Sequence, residues 1–209
     1  MQVATLSAIR TLRSTRRLRP DPVEPEKIHA ILEAAGKAPS GSNTQPWDFL
    51  LLTDPETKKR VRDLTVRGLK IYLESSLLFP RNTVDSYLQS DDPVVHLAKN
   101  TDRTPVLILV CLNAKRAKRL TDEWAWLEEQ ANWASVFPAM QNILLAARAL
   151  GLGSAVSIFP LFYLSELKQL LHIPDYVKPG ILVYVGYPLS SFKEPKRTSI
   201  ENFVHENKW

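Results

Sequence analysis

The chain has 209 residues, of which 44% are hydrophobic and 23% charged, a balance that fits a soluble globular protein and excludes both a disordered chain and a membrane bundle. Lys and Arg number 27 against 22 Asp and Glu, so the formal charge of +5 leans only modestly towards anionic partners. The single cysteine, Cys111, excludes a scaffold held by internal disulfides, and the four histidines are scattered without zinc spacing.

In chain order, residues 2–12 read as a helix with Leu6, Ile9 and Leu12 on one apolar stripe, stopped by Pro20 and Pro22. The same region carries Arg10, Arg13, Arg16, Arg17 and Arg19 and no acid before Asp21. Arg-rich, acid-free starts resemble mitochondrial presequences, but the apolar stripe and the proline stop favour a folded segment. A second helix is expected over 25–35, opened by Pro25, with Ile28, Ile31, Leu32 and Ala35 on one face. Residues 37–46 read as irregular and 47–53 as a strand. Asp54 caps a further helix, opened by Pro55 and running through Lys58, Val61 and Leu64. Residues 66–103 look helical in pieces, with breaks at Pro80 and Pro93.

The run 106–111 is apolar on both faces and is expected to be a central strand. A long helix over 122–150 carries Trp124, Leu127, Ala131, Ala134, Met140, Ile143, Leu144 and Ala147, and Pro138 predicts that it kinks or splits. Its Ala-rich second half, with Gly151 just past the end, reads as a buried helix with a glycine cap. The stretch 149–164 lacks charge, but Gly151, Gly153, Ser154 and Pro160 break it up, so no membrane span is expected. A strand over 154–159, a helix over 165–171 and a strand over 181–186 follow. The polar tail 190–209 is punctuated by Phe192, Ile200, Phe203, Val204 and Trp209, a spacing that calls for something to pack against. These elements describe one α+β domain over 1–209 with a helical majority.

Two segments carry chemistry. In Arg13-Ser14-Thr15-Arg16-Arg17, guanidinium groups flank hydroxyls, a set suited to a phosphate; a solvated basic turn is the plain alternative. No Gly-rich phosphate loop exists in the chain, which excludes a Walker loop or Rossmann turn. In Pro39-Ser40-Gly41-Ser42-Asn43-Thr44-Gln45-Pro46-Trp47, the Asn43 and Gln45 amides both donate and accept, as reading the edge of a heteroaromatic ring requires. A Ser/Asn turn accounts for Ser40 to Asn43 but not for the following Gln-Pro-Trp. No His, Cys or paired-carboxylate constellation appears. Cys111 reads as a buried core residue, His29 as surface-facing, and Trp124, Trp126 and Trp133 as core or interface.

Arg-Ser-x-Arg, followed about 25 residues later by Ala-Pro-Ser-x-x-Asn-x-Gln-Pro-Trp, resembles the FMN-dependent nitroreductase family. The stretch from Gln141 to Ser154 is similar to that family's central helix and its Gly-Leu-Gly ending. Lys196-Arg197, with Ile200-Glu201 and Val204-His205, resembles its basic C-terminal motif. The likeness covers nearly the whole chain except 66–103.

The resemblance implies a nitroreductase-like fold, a central and mostly antiparallel sheet surrounded by helices, in an intertwined homodimer. Residues 190–209 would form an arm embracing the partner, and two FMN sites would lie at the interface of a cytoplasmic protein. Arg13, Ser14, Arg16 and Arg17, with Lys196 and Arg197, would hold the FMN phosphate. Ser40, Asn43 and Gln45 would lie along the ribityl chain and pyrimidine edge, and a backbone N–H around Ser157 to Phe159, including Ile158, would face flavin N5. Arg67 and Lys70 match the family's mid-chain polar contacts to the flavin.

The implied activity is ping-pong hydride transfer from NADH or NADPH to FMN and on to a nitroaromatic, quinone or similar small-molecule acceptor. No protein side chain acts catalytically in it, and no metal, nucleic acid or membrane is needed. Two departures stand out: Ile158-Phe159 where many relatives have two glycines, and Leu18 for the usual Phe. The bulky pair motivates an alternative, a specialised relative that dehalogenates, dehydrogenates or sequesters FMN. The rival from another class is a nucleic-acid-binding module using the Arg10 to Arg19 segment, against which the small charge and the acids after Asp21 weigh.

Overall fold

In the computed structural model, which describes residues 5–77 and 79–209, the central run forms β2 (Val106–Asn113), buried along its whole length. A strand with two apolar faces needs cover on both. Its neighbours are β1 (Trp47–Leu52) and β4 (Val177–Gly186), with β3 (Gly153–Ser157) beyond β4, giving an antiparallel sheet in the order β1-β2-β4-β3. On one face lie α2 (Pro25–Gly36) and α6 (Ala125–Ala149), whose Ile31, Val136, Ala139 and Ile143 pack on Ile108, Val110, Val183 and Val185. On the other lie α3 (Pro55–Ser75) and α7 (Leu164–Leu170), with Val61, Leu64 and Leu167 against Leu107, Leu109, Leu182 and Tyr184. The far end of α3 adds a smaller cluster, Leu69 and Leu73 with Val84 of α4 (Val84–Leu88) and Val95 and Ala98 of α5 (Pro93–Lys99).

The expected α+β class and the central place of β2 hold. Several boundaries move, each for a local reason. The last strand begins at Val177 instead of 181, because Pro179-Gly180 reads as a break in sequence but is tolerated in space. That half of β4 pairs with β2 alone, beside a register shift between Val110 and Cys111, so the missing Pro179 N–H faces no second strand. Gly180 also admits Trp133, since a Cβ there would lie 2.4 Å from the indole.

The third helix runs on to Ser75, well past Leu64. Pro138 does not split α6, which is continuous from Ala125 to Ala149. Pro93 opens α5 instead of breaking a helix, with Asp92 accepting from Val94 N–H at 2.7 Å. The glycine cap is as expected: Gly151 has φ +79°, Leu152 N–H donates to Ala147 O at 2.8 Å and Gly151 N–H to Arg148 O at 3.1 Å.

The first helix, α1 (Thr5–Thr11), differs in orientation from its reading. Its buried residue is Ala8, while Leu6 and Ile9 of the stripe are 69% and 51% exposed. Residues 2–4 of the expected helix lie outside the described residues. After Leu189 the chain forms neither strand nor α-helix, only a short 3₁₀ turn at Ile200–Asn202, and Ile200, Phe203, Val204 and Trp209 are exposed. Among the described residues no helix is long and apolar enough to cross a membrane.

Candidate functional site

The basic segment after α1 is laid in extended form beside the free edge of β3. Thr15 N–H donates to Ser154 O at 2.7 Å, Arg19 N–H to Tyr187 O at 2.7 Å, and Leu189 N–H returns to Arg17 O at 3.1 Å. Thr15 is buried, its methyl filling the space above Gly153, where a Cβ would approach to 2.7 Å. Around this anchored backbone, Arg13, Ser14, Arg16, Arg17 and Arg197 line a cavity of about 470 Å³.

Arg17 is already engaged. Its guanidinium pairs with Asp91 at 2.7 Å and donates to Nδ1 of His96 at 3.4 Å. Burial first, and then the Arg17 charge, lower the His96 pKa, which keeps the ring a neutral acceptor. Arg13, Arg16 and Arg197, by contrast, meet no carboxylate among the described residues. Three uncancelled guanidinium groups converging on one cavity make an anion site. Lys196 is exposed beside it, its carbonyl accepting from Arg197 at 3.4 Å.

A second cavity of about 350 Å³ shares Arg13, Ser14 and Arg197 with the first and adds Gln141, Ser154 and Val156. Among the described residues, Ser154 Oγ is the buried side-chain atom left without a hydrogen-bond partner. An orphaned buried hydroxyl is costly, and here it sits in a wall next to the anion site. On the other side of Arg16 opens a third cavity of about 530 Å³, walled by Tyr72, Phe79, Tyr87, Phe159 and Tyr184 together with Ser157 and Ile158. Burial pushes the Tyr87 phenol up to about 12 and also raises that of Tyr184, which shares a 3.3 Å hydrogen bond with Thr101. Both stay protonated, so the cavity is neutral apart from Arg16.

The strand expected over 154–159 ends at Ser157, leaving Ile158 and Phe159 in the turn that follows. Phe159 N–H is taken by Ser157 Oγ at 3.1 Å, so among 157–159 that donor is no longer available to a ligand. The Phe159 carbonyl presses on α3 at Gly68, where a Cβ would lie 1.8 Å away. Gly68 escapes sequence reasoning, its only signal being a glycine inside a helix. Arg67 and Lys70, expected as flavin contacts, are paired with Glu166 at 3.0 Å and Asp85 at 3.2 Å.

The Ser40 to Gln45 loop lies elsewhere. Ser42, Asn43 and Gln45 have φ of 53°, 54° and 47°, three left-handed residues of which none is glycine. Gln45 N–H donates to Ser40 Oγ at 3.0 Å, and Gln45 Nε2 lies 3.2 Å from both Asn43 O and Oδ1. Arg116 braces the loop from outside, donating to Gln45 O at 3.1 Å and Trp47 O at 2.7 Å and pairing with Asp48. No sequence motif marks Arg116. The loop precedes Trp47, which lies across from Leu112 and Lys178, whereas Ser154 lies across from Val185 and Val106. Three strand spacings across and six residues along put the two places about 25 Å apart, at diagonally opposite corners of the sheet. Within one chain, then, Arg13, Ser14, Arg16, Arg17, Arg197, Ser157 and Ile158 line cavities that share wall residues, and Ser40, Asn43 and Gln45 do not join them. Trp133 stacks on Phe137 at 5.5 Å, while Trp124 and Trp126 are 46% and 59% exposed and so belong to no core of this chain.

Comparison with known proteins gives this geometry its relatives. NADH dehydrogenase of Thermus thermophilus is 28% identical over 192 residues, covering 92% of this chain and 90% of that protein. Iodotyrosine deiodinase of Danio rerio is 30% identical over 203 residues, covering 92% of this chain but 63% of that protein. The NADPH:FMN oxidoreductase of Vibrio harveyi, solved with NAD+, shares the fold at a TM-score of 0.73 with 17% identity, over 98% of this chain and 77% of that one. The model of the nitroreductase family matches residues 9–187, from the first helix through the basic segment, the strained loop and the whole sheet, and the chain belongs to that family.

Proposed function

We propose that this chain is an FMN-dependent oxidoreductase, working in the cytoplasm as a homodimer, that carries electrons from NADH or NADPH to a nitroaromatic, quinone or similar conjugated acceptor. The main support is the cavity in which Arg13, Arg16 and Arg197 present charges that no acid cancels, joined through Arg16 to an aromatic-walled cavity. A charged end for a phosphate beside an apolar slot for a ring, with the orphaned Ser154 hydroxyl in the adjoining wall, fits the chemistry of FMN. Arg13, Ser14, Arg16 and Arg197 would hold the phosphate, with Lys196 adjacent. Arg17 contributes from behind by tying the segment to Asp91 and His96.

Ser40, Asn43 and Gln45 would come from the second copy, their left-handed loop already set in shape by Arg116. The arm of residues 190–209, held to its own chain as far as Arg197, would reach across to the partner with its remaining residues, covering Ile200, Phe203 and Val204. When bound, the flavin supplies the hydride and electron transfer. The chain's part is to orient it, to exclude water with the Tyr72, Phe79 and Phe159 rings, and to keep the Tyr87 and Tyr184 hydroxyls neutral.

The deciding experiment is spectroscopic. Purified protein is expected to be yellow, or to turn yellow on adding FMN, and to bleach under anaerobic NADH or NADPH. Protein that stays colourless with FMN overturns the reading. Yellow protein that neither nucleotide bleaches favours a second reading, two-electron reductive removal of halide from an aromatic ring, in which a C–X bond is replaced by C–H with uptake of one proton. That reading is supported by the deiodinase relative and by the bulky Ile158-Phe159 pair at the aromatic cavity. Halide release from a halophenol by chemically reduced protein tests it.

A further inference from the structure

The chain leaves the sheet where Leu18 pairs with Pro188 and Leu189 binds Arg17, and eight residues after Leu189 Arg197 returns to the anion cavity. Among the described residues, every hydrogen bond made by residues 190–209 stays within that segment. In the intervening stretch Phe192 packs on the body, its ring centroid 3.8 Å from Cζ of Arg148. Arg148, in the last turn of α6, is only 8% exposed and has no carboxylate partner among the described residues. Its Nε donates to Thr11 Oγ1 at 2.9 Å. Burial lowers its pKa, yet the charge is supported by the negative end of the helix and by the face of the ring. A buried cation therefore waits at one fixed spot for an aromatic side chain from the arm.

We propose that Phe192, seated on Arg148, is a positioning residue that delivers Arg197 to the phosphate of the bound cofactor, an inference that rests on the FMN reading above. Arg197 lies five positions after Phe192, so the anchor confines that guanidinium to a reach of about 17 Å, whereas a tether from Leu189, eight positions back, would allow about 27 Å. Loosening a tether lowers the effective concentration of the group at its end.

The test is titration of flavin-free protein with FMN and, separately, with riboflavin, which lacks the phosphate. Phe192→Ala is expected to weaken FMN binding about three- to tenfold, to leave riboflavin binding unchanged, and to be rescued by Phe192→Trp. In an Arg197→Ala background, Phe192→Ala should add nothing. Equal losses for FMN and riboflavin, or losses that add in the double variant, would mean that Phe192 merely supports the fold and would overturn the proposal. So would unchanged FMN affinity in Phe192→Ala. Wild-type protein that does not bind FMN at all sinks the cofactor reading itself, an outcome distinct from these.

Discussion

Arg13 and Arg16 differ from Arg17 in one respect: among the described residues no carboxylate pairs with them, whereas Arg17 pairs with Asp91. Charge-assisted hydrogen bonds contribute about 1.5–3 kcal/mol each, so replacing Arg13 and Arg16 together with Ala should weaken FMN binding roughly a hundredfold or more. Fluorescence titration of flavin-free protein measures this. Arg17→Ala removes a pair with Asp91 that is 37% and 84% exposed, worth no more than about 1 kcal/mol, and should change FMN affinity less than tenfold. His96 supplies a pH signature. Its folded pKa lies below the ordinary 6.5, so the unfolded chain takes up a proton first as the pH falls. The stability it lends is complete above that pH and is lost below it, and urea denaturation at pH 7.5 and 5.5 should show a larger fall for wild type than for His96→Gln. Cys111, 2% exposed and with its thiol pushed up to about 12 by burial, should resist alkylation at pH 8 until the protein is unfolded. Its buried place was legible in the sequence, because a lone thiol inside an uninterrupted apolar run has no other plausible setting.

At the scale of elements, legibility follows how much of an element's reason lies within itself. β2 declares its burial on both faces, and the Asp54 and Gly151 caps act over four or five residues, so these are readable directly. α3 and β4 were readable only in part, because their continuations depend on partners distant in sequence. Gly68 looks like a weak point in a helix until the Phe159 carbonyl is seen against it, and Pro179-Gly180 looks like a break until Trp133 is seen over it. The same contact gives a prediction. Gly68→Ala forces α3 and the Ser157–Phe159 turn apart, an overpacking that should cost about 1–3 kcal/mol or more. Thermal unfolding should show it, and flavin affinity should fall with it, whereas Gly36→Ala, where a Cβ meets nothing within 4 Å, should leave flavin affinity unchanged.

For the whole molecule, the motifs name candidates for one site but not the distance between them. Ser14-x-Arg16 and Asn43-x-Gln45 are 29 residues apart in the chain, yet the register of four strands sends them to opposite corners, and nothing in either motif encodes that register. The proposed pairing of two copies, in which one chain's loop meets the other's basic segment, would reconcile the motifs with the geometry, and exposed Leu6, Ile9, Phe203 and Val204 offer apolar surface for it. Complementation tests it. Arg13→Ala/Arg16→Ala chains and Asn43→Ala/Gln45→Ala chains should each bind FMN poorly alone. Mixed dimers of the two should recover about half the wild-type number of tight sites, because one of their two sites is then built entirely from unaltered residues. Mixed dimers that recover none would place the whole site within one chain.

With the site shared between two copies as proposed, the corner-to-corner layout would also set an order of events. A single newly made chain, however well folded, would carry two unfinished halves and no finished one, so pigment could not be taken up until a second chain had been met. In refolding, the return of colour would then be paced by protein concentration: diluting the chains would slow it even with FMN in large excess, and adding more FMN would not restore the rate.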